Sequence, residues 1–181
     1  MLQVISVIAE LIFVWLQTKE KIYSYAFNIV STILLSIVFY NNHLYASLSM
    51  QIILFLMIPY GIIMWSTNKD GSSVRPTRRA SRREIITYII VSVLSVSVFG
   101  TALHIFTNAT VPYFDSVVFI LTIIANFMTA NKIYENWYFW MVMNLFAMLV
   151  YGTRGLYWLV GLNAIYLYLN IIGLRDWKSN M

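Results

Sequence analysis

Trp137, Trp140 and Asn144 have the types and the spacing to hold a flat, polar ligand. They lie in the run Glu135-Asn136-Trp137-Tyr138-Phe139-Trp140-Met141-Val142-Met143-Asn144. On a helix of about 3.6 residues per turn they fall in one column, so two indole rings and a carboxamide share a face. Indole faces stack on a flat aromatic ring, and an amide supplies both a donor and an acceptor. An interfacial aromatic belt would account for Trp137, near the start of its apolar run. It accounts less well for Trp140 and hardly at all for Asn144, whose amide lies deep in hydrocarbon with no water to bond.

Other polar side chains also fall inside apolar runs: Asn28, Ser31, Gln51, Asn126, Asn163, Tyr166 and Asn170. Asn163, Tyr166 and Asn170 share one helical face by spacing. Hydrogen bonds between helices, worth about 0.6 to 2 kcal/mol each, would explain any one of them. Convergence of the set with Trp137 and Trp140 points instead to a substrate-binding site. All of these side chains are neutral. Glu10, midway along the first apolar run, is the exception, and reads as a gate or coupling residue or as the partner of another buried group.

Other chemistries find no support. The chain has no cysteine, and His43 and His104 lack acidic or histidine neighbours at ligand spacing, so neither a metal site nor a disulfide is expected. No Gly-rich loop ending in Lys-Ser/Thr is present, so ATP hydrolysis is not expected, and Gly152-Thr153-Arg154-Gly155 reads as a short extracellular loop; no cofactor is expected. Nothing resembles a Ser/His/Asp or paired-carboxylate arrangement, which argues against an enzyme.

The elements that must position these residues are membrane helices. Of 181 residues, 60% are hydrophobic and 10% charged, with mean hydropathy +0.74; a soluble domain carries roughly 25% charged residues. Seven spans are expected, at about Leu2–Gln17, Ile22–Tyr40, Leu44–Trp65, Glu84–Thr107, Phe114–Ala130, Ile133–Tyr151 and Leu156–Leu174. Met1-Leu2-Gln3-Val4 lacks a basic n-region and reads as the start of a transmembrane helix, not of a signal peptide. With seven spans, eleven of the twelve Lys and Arg share one side, including Lys69 and the cluster Arg75, Arg78, Arg79, Arg82 and Arg83, with Arg154 alone opposite. This predicts an outside N-terminus and a cytoplasmic tail, and the cluster reads as a topology or headgroup signal, not a nucleic-acid site.

The chain also repeats itself. Thr18-Lys19-Glu20-Lys21-Ile22-Tyr23 resembles Thr129-Ala130-Asn131-Lys132-Ile133-Tyr134 at an offset of 111, and Leu34 and Tyr40 meet Leu145 and Tyr151 at the same offset. After one inserted residue the offset becomes 112, where Leu44-Tyr45, Gly61 and Trp65 meet Leu156-Tyr157, Gly173 and Trp177. The expected organisation is a three-helix unit at 1–65, a basic loop at 66–83, a connector helix at 84–110 and a second three-helix unit at 111–181. Such a 3+1+3 build gives parallel repeats about an axis along the membrane normal, with substrate near the midplane. Glu10 meets Leu121 at offset 111, so its acid is not a symmetric feature.

The Glu135-Asn136-Trp137 run with Trp140, Asn144 and a Leu-Tyr helix ending Gly173 to Trp177 resembles the PnuC family of vitamin transporters. Tyr25-Ala26-Phe27-Asn28, Gln51 and Tyr60-Gly61 with Trp65 extend the resemblance over essentially the whole chain. It implies an all-α fold similar to SWEET sugar transporters and uptake of nicotinamide riboside, or in relatives thiamine or riboflavin, by facilitated diffusion. It also implies a functional link to a cytosolic vitamin kinase that traps the product, in a cell membrane; self-association is left open. Asn28 departs from the family, which is expected to carry glycine there. The reading is a passive vitamin uniporter, nicotinamide riboside first and thiamine second. A membrane-embedded subunit whose Arg75–Arg83 loop recruits a soluble partner is the alternative from another class.

Overall fold

The computed structural model describes residues 2–43, 45–67 and 75–181, leaving the side chains of Tyr45 and Ala46 aside. Lys69 and Leu44 lie outside the described residues. Seven helices form among the described residues: α1 (Leu2–Thr18), α2 (Ser24–Asn41), α3 (Tyr45–Ser66), α4 (Arg82–Phe106), α5 (Pro112–Ala130), α6 (Asn136–Thr153) and α7 (Tyr157–Ser179). Each coincides with an expected span. The largest extension is at the end of α7, where the helix continues far enough to bury Trp177 completely.

Local sequence explains the helix starts. Ser81 opens α4 with a capping box, its Oγ accepting from the Glu84 amide at 3.2 Å while its own amide donates to Glu84 Oε2 at 2.7 Å. Pro112 opens α5, where a missing N–H costs nothing. Five helices, α2, α3, α4, α5 and α7, are long and apolar enough to cross a membrane. The first helix is short at 17 residues, and α6 carries Asn136, Trp137, Trp140 and Asn144 at the expense of aliphatic positions.

Burial is inverted relative to a soluble domain. Val93, Leu94 and Val98 of α4 are mostly exposed, whereas Ser6, Thr18, Ser31 and Asn136 are buried and hydrogen-bonded. That is the pattern of aliphatic groups facing lipid and polar groups finding partners inside.

The helices form a closed ring in the order α1, α2, α3, α5, α6, α7 and back to α1, with α4 outside the ring, packed on α5 and touching α6 where Tyr88 stands edge-on to Phe139 at 6.4 Å. Exchanging α1, α2 and α3 for α5, α6 and α7 leaves this set of neighbours unchanged. The backbone shows the same equivalence at an offset of 112. Both α2 and α6 are 18 residues long and begin 112 positions apart. The turn before α2 is closed by Glu20 N to Gln17 O at 3.0 Å and Lys21 N to Leu16 O at 3.1 Å; before α6 the matching bonds are Lys132 N to Thr129 O and Ile133 N to Met128 O, both 3.0 Å.

This corrects the register of 111 read from the first half of the sequence. The Thr-x-x-Lys-Ile-Tyr letters match one residue out of step with the hydrogen bonds, and no insertion in the following loop is needed. Turn geometry sets the true register, since Glu20 and Lys132 are both left-handed residues with φ of 55°. The equivalent of Glu10 is therefore Thr122, not Leu121.

Candidate functional site

An aromatic plug closes the end of the bundle that holds these two turns. Trp65 Nε1 donates to the Thr129 carbonyl of the other unit at 3.0 Å, and Trp177 Nε1 donates to the Gln17 carbonyl at 2.9 Å. Donors and acceptors alike are 112 positions apart, so each unit closes the other by the same bond. Tyr25 stands edge-on to Trp65 at 5.4 Å between ring centres, and Trp137 edge-on to Trp177 at 5.3 Å. The Tyr25 ring lies against Gly61 and the Trp137 ring against Gly173, places where a Cβ would collide with the aromatic. Glycine at both positions is thus a packing requirement of the large ring opposite.

Charge completes the plug. The fully buried Lys132 places Nζ 2.7 Å from Glu20 Oε2, 3.7 Å from the centre of the Trp65 ring and 5.1 Å from that of Trp177. Burial pushes the Lys132 ammonium down from its ordinary value, and Glu20 opposes that shift by favouring the charge. The segment 75–81 straps the outside. Thr77 Oγ1 donates to Glu20 Oε2 at 2.9 Å, Arg78 N donates to the Lys132 carbonyl and accepts from Tyr134 N through its own carbonyl, each at 2.9 Å, and Ala80 N donates to Glu135 Oε2 at 2.8 Å. Sequence reasoning singled out Trp65 and Trp177 as repeat markers but assigned Glu20 and Lys132 no part in the interior.

The candidate site lies above this plug. Helices α6 and α7 are antiparallel neighbours, and Trp137 meets Gly173. Stepping along both helices at about 1.5 Å per residue brings Trp140 level with Asn170, and Asn144 level with Tyr166. Helices α1 and α7 run parallel, joined where Trp177 meets Gln17, so the same step places Glu10 near Asn170. Glu10 is half-buried and faces the Tyr166 phenol, without a hydrogen bond of good geometry to it.

Five buried side-chain atoms have no hydrogen-bond partner among the described residues: Ser24 Oγ, Trp137 Nε1, Asn144 Oδ1, Tyr166 Oη and Asn170 Nδ2. All but Ser24 belong to the set named from spacing. Asn144 and Asn170 are 2% and 3% exposed, so bulk water does not answer them. Together they offer N–H donors from Trp137 and Asn170, an amide acceptor from Asn144 and a phenol that does either. Amide and hydroxyl groups are the kinds of partner that such donors and acceptors take.

The remaining candidates are used differently. Trp137 takes Trp177 as its ring partner, so its indole belongs to the top of the plug and not to a stacked pair with Trp140. The Trp140 ring is half-buried and anchored to α5 through Nε1 to Thr129 Oγ1 at 3.1 Å. Ser31 Oγ bonds the Ser6 carbonyl at 3.1 Å, joining α2 to α1, and Asn28 Oδ1 accepts from Thr32 Oγ1 at 3.2 Å. Asn163 Nδ2 donates to its own helix at Leu159, 2.9 Å away. Gln51 and Asn126 are half-buried on α3 and α5. At offset 112, Tyr166 and Asn170 correspond to Leu54 and Ile58, so the unsatisfied polarity is concentrated in the second unit.

Two apolar grooves, of about 270 and 250 Å³, lie elsewhere, one between α2 and α3 along Ile29, Phe55 and Ile62, the other between α4 and α5 along Val93, Val96 and Val117. Among the described residues no three His, Asp or Glu side chains are placed to hold a metal ion.

This chain is similar to known proteins along nearly its whole length. It is 25% identical over 205 aligned positions to the nicotinamide riboside transporter PnuC of Escherichia coli strain K12, covering 99% of this chain and 85% of that protein. The protein of the same name from Neisseria mucosa is 24% identical over 132 positions, covering 70% of this chain and 50% of that one. A solved structure, described as the crystal structure of the vitamin B3 transporter PnuC, has the same fold, with a TM-score of 0.80 at 20% identity over 98% of this chain and 80% of that one. The family model described as nicotinamide mononucleotide transporter matches residues 1–179, and the chain accordingly belongs to this family of membrane transporters, to which the PnuC proteins are its relatives.

Proposed function

We propose that this chain takes nicotinamide riboside into the cell by facilitated diffusion across the cell membrane. The observation that carries the reading is the set of unpartnered groups at Trp137, Asn144, Tyr166 and Asn170, with Trp140 level with Asn170, in a chain whose relatives include the nicotinamide riboside transporter PnuC. An amide-bearing aromatic ring joined to a ribose presents the donors and acceptors that these groups lack.

The N-terminus lies outside and the tail in the cytoplasm, so the plug of Trp65, Trp177, Glu20 and Lys132 closes the cytoplasmic end. The two three-helix units rock about the substrate as parallel repeats, with α4 as connector. Opening inward separates Trp65 from Thr129 and Trp177 from Gln17 together, because the bonds are equivalent and cross between the units. A cytosolic kinase that phosphorylates the vitamin makes the flux one-way. The strap uses Thr77, Arg78 and Ala80 to hold the two turns within the chain, a local structural role for the loop that needs no soluble partner.

The experiment is the thermal stability of the detergent-purified protein with nicotinamide riboside, thiamine or riboflavin. A ligand that binds only the folded state, at about 100 times its dissociation constant, adds about 2.7 kcal/mol. Stabilisation by nicotinamide riboside alone supports the reading; stabilisation by thiamine alone moves the chain to a thiamine carrier of the same build. No response to any of the three, with the protein folded, defeats it.

A further inference from the structure

Four ion pairs are formed among the described residues, Lys19–Asp176, Arg78–Glu84, Lys132–Glu20 and Arg154–Asp115, and Glu10 belongs to none. It stands midway along α1, within a slab that also holds Trp140, Asn144, Tyr166 and Asn170. In an α-helix the side chain leans toward the N-terminus, here away from the plug, which directs the carboxylate toward Tyr166. The titratable groups that face it are the Tyr166 and Tyr151 phenols, with no base among them. Lys132 is paired with Glu20 and Arg154 with Asp115, at 2.7 and 2.6 Å.

The repeat shows that this acid is not demanded by the fold. The equivalent Thr122 is uncharged and satisfied within its own helix, Oγ1 donating to the Val118 carbonyl at 2.7 Å. One unit thus packs this position with a neutral residue, while the other carries an acid that lacks a cation. An ionised carboxylate inside a membrane protein requires a counter-charge, and a cationic cargo arriving beside Glu10 supplies it.

We infer that Glu10 is the residue that reads the positive charge of the substrate, so that the site selects flat aromatic ligands carrying one cationic ring over neutral rings of the same shape. The inference rests on the proposed function and adds the charge class of the cargo. Aromatic faces alone accept flat neutral rings as well as charged ones; a fixed acid beside them does not treat the two alike.

The test compares dissociation constants of the full-length purified protein for nicotinamide riboside, whose pyridinium is cationic, and for its dihydro form, which is neutral and nearly the same shape. The preference for the cation should fall about tenfold in Glu10→Gln, equivalent to about 1.4 kcal/mol, and be largely restored in Glu10→Asp. Glu10→Thr, the residue found at the equivalent position, serves if Glu10→Gln does not fold. An unchanged cation-to-neutral ratio in a folded variant overturns the inference while leaving the transport reading intact. Wild-type protein that binds neither form overturns the transport reading, and the inference falls with it.

Discussion

Glu20 and Lys132 occupy equivalent positions in the two units, share a φ of 55° and form an ion pair with each other at 2.7 Å. A bond between equivalent positions lies where the two units meet, so this pair reports directly on their contact. The Lys132 side chain is 0% exposed and that of Glu20 14%. Removing one partner of such a pair leaves a buried charge unanswered, at a cost of about 3 to 5 kcal/mol. We expect Lys132→Met to lower the melting temperature strongly and the double variant Lys132→Met, Glu20→Gln to recover much of the loss. Additive losses in that double-mutant cycle would show that the pair is not coupled.

The glycines of α7 should respond oppositely to the same substitution. Gly173→Ala drives a methyl into the Trp137 ring and should cost about 1 to 3 kcal/mol, whereas Gly161, with nothing near its absent Cβ, should tolerate alanine or gain up to about 1 kcal/mol. Gly61→Ala should behave like Gly173→Ala, because Tyr25 plays the part of Trp137. Chemical or thermal denaturation of the three variants in detergent decides, and a stable Gly173→Ala would refute the proposed packing.

Asn170→Leu separates binding from stability. Its Nδ2 is buried without a partner, and an unsatisfied buried donor costs about 1 to 3 kcal/mol. The variant should melt higher than wild type without ligand and lose its stabilisation by nicotinamide riboside. If it melts lower and still binds, Asn170 is a structural residue.

The strap and the exposed arginines should part company. Thr77→Val removes a hydrogen bond to the Glu20 carboxylate and should cost about 1.5 to 3 kcal/mol. Arg82→Gln with Arg83→Gln, both exposed at the start of α4, should alter stability by less than about 0.5 kcal/mol each and leave uptake unchanged. Loss of uptake in the arginine variant, with the protein present in the membrane, would favour a partner-recruiting role for that loop.

Much of this molecule is written locally. Runs of apolar residues near 20 long set the seven helices, because a bilayer admits few other structures for a continuous apolar chain. The column of Trp137, Trp140 and Asn144 and the face of Asn163, Tyr166 and Asn170 followed from helical period alone, and Gly61, Gly173, Trp65 and Trp177 marked the repeat by identity. Periodicity fixes which residues share a face but says nothing of what stands opposite. Only the tertiary structure put Trp137 against Trp177 and Gly173, gave Ser31 to the Ser6 carbonyl, and left Asn144, Tyr166 and Asn170 with bonding capacity to spare. Lys132 reads in sequence as one more loop cation. Its burial between two indoles depends on Glu20, Trp65 and Trp177, residues far along the chain in either direction, and no local pattern carries that information.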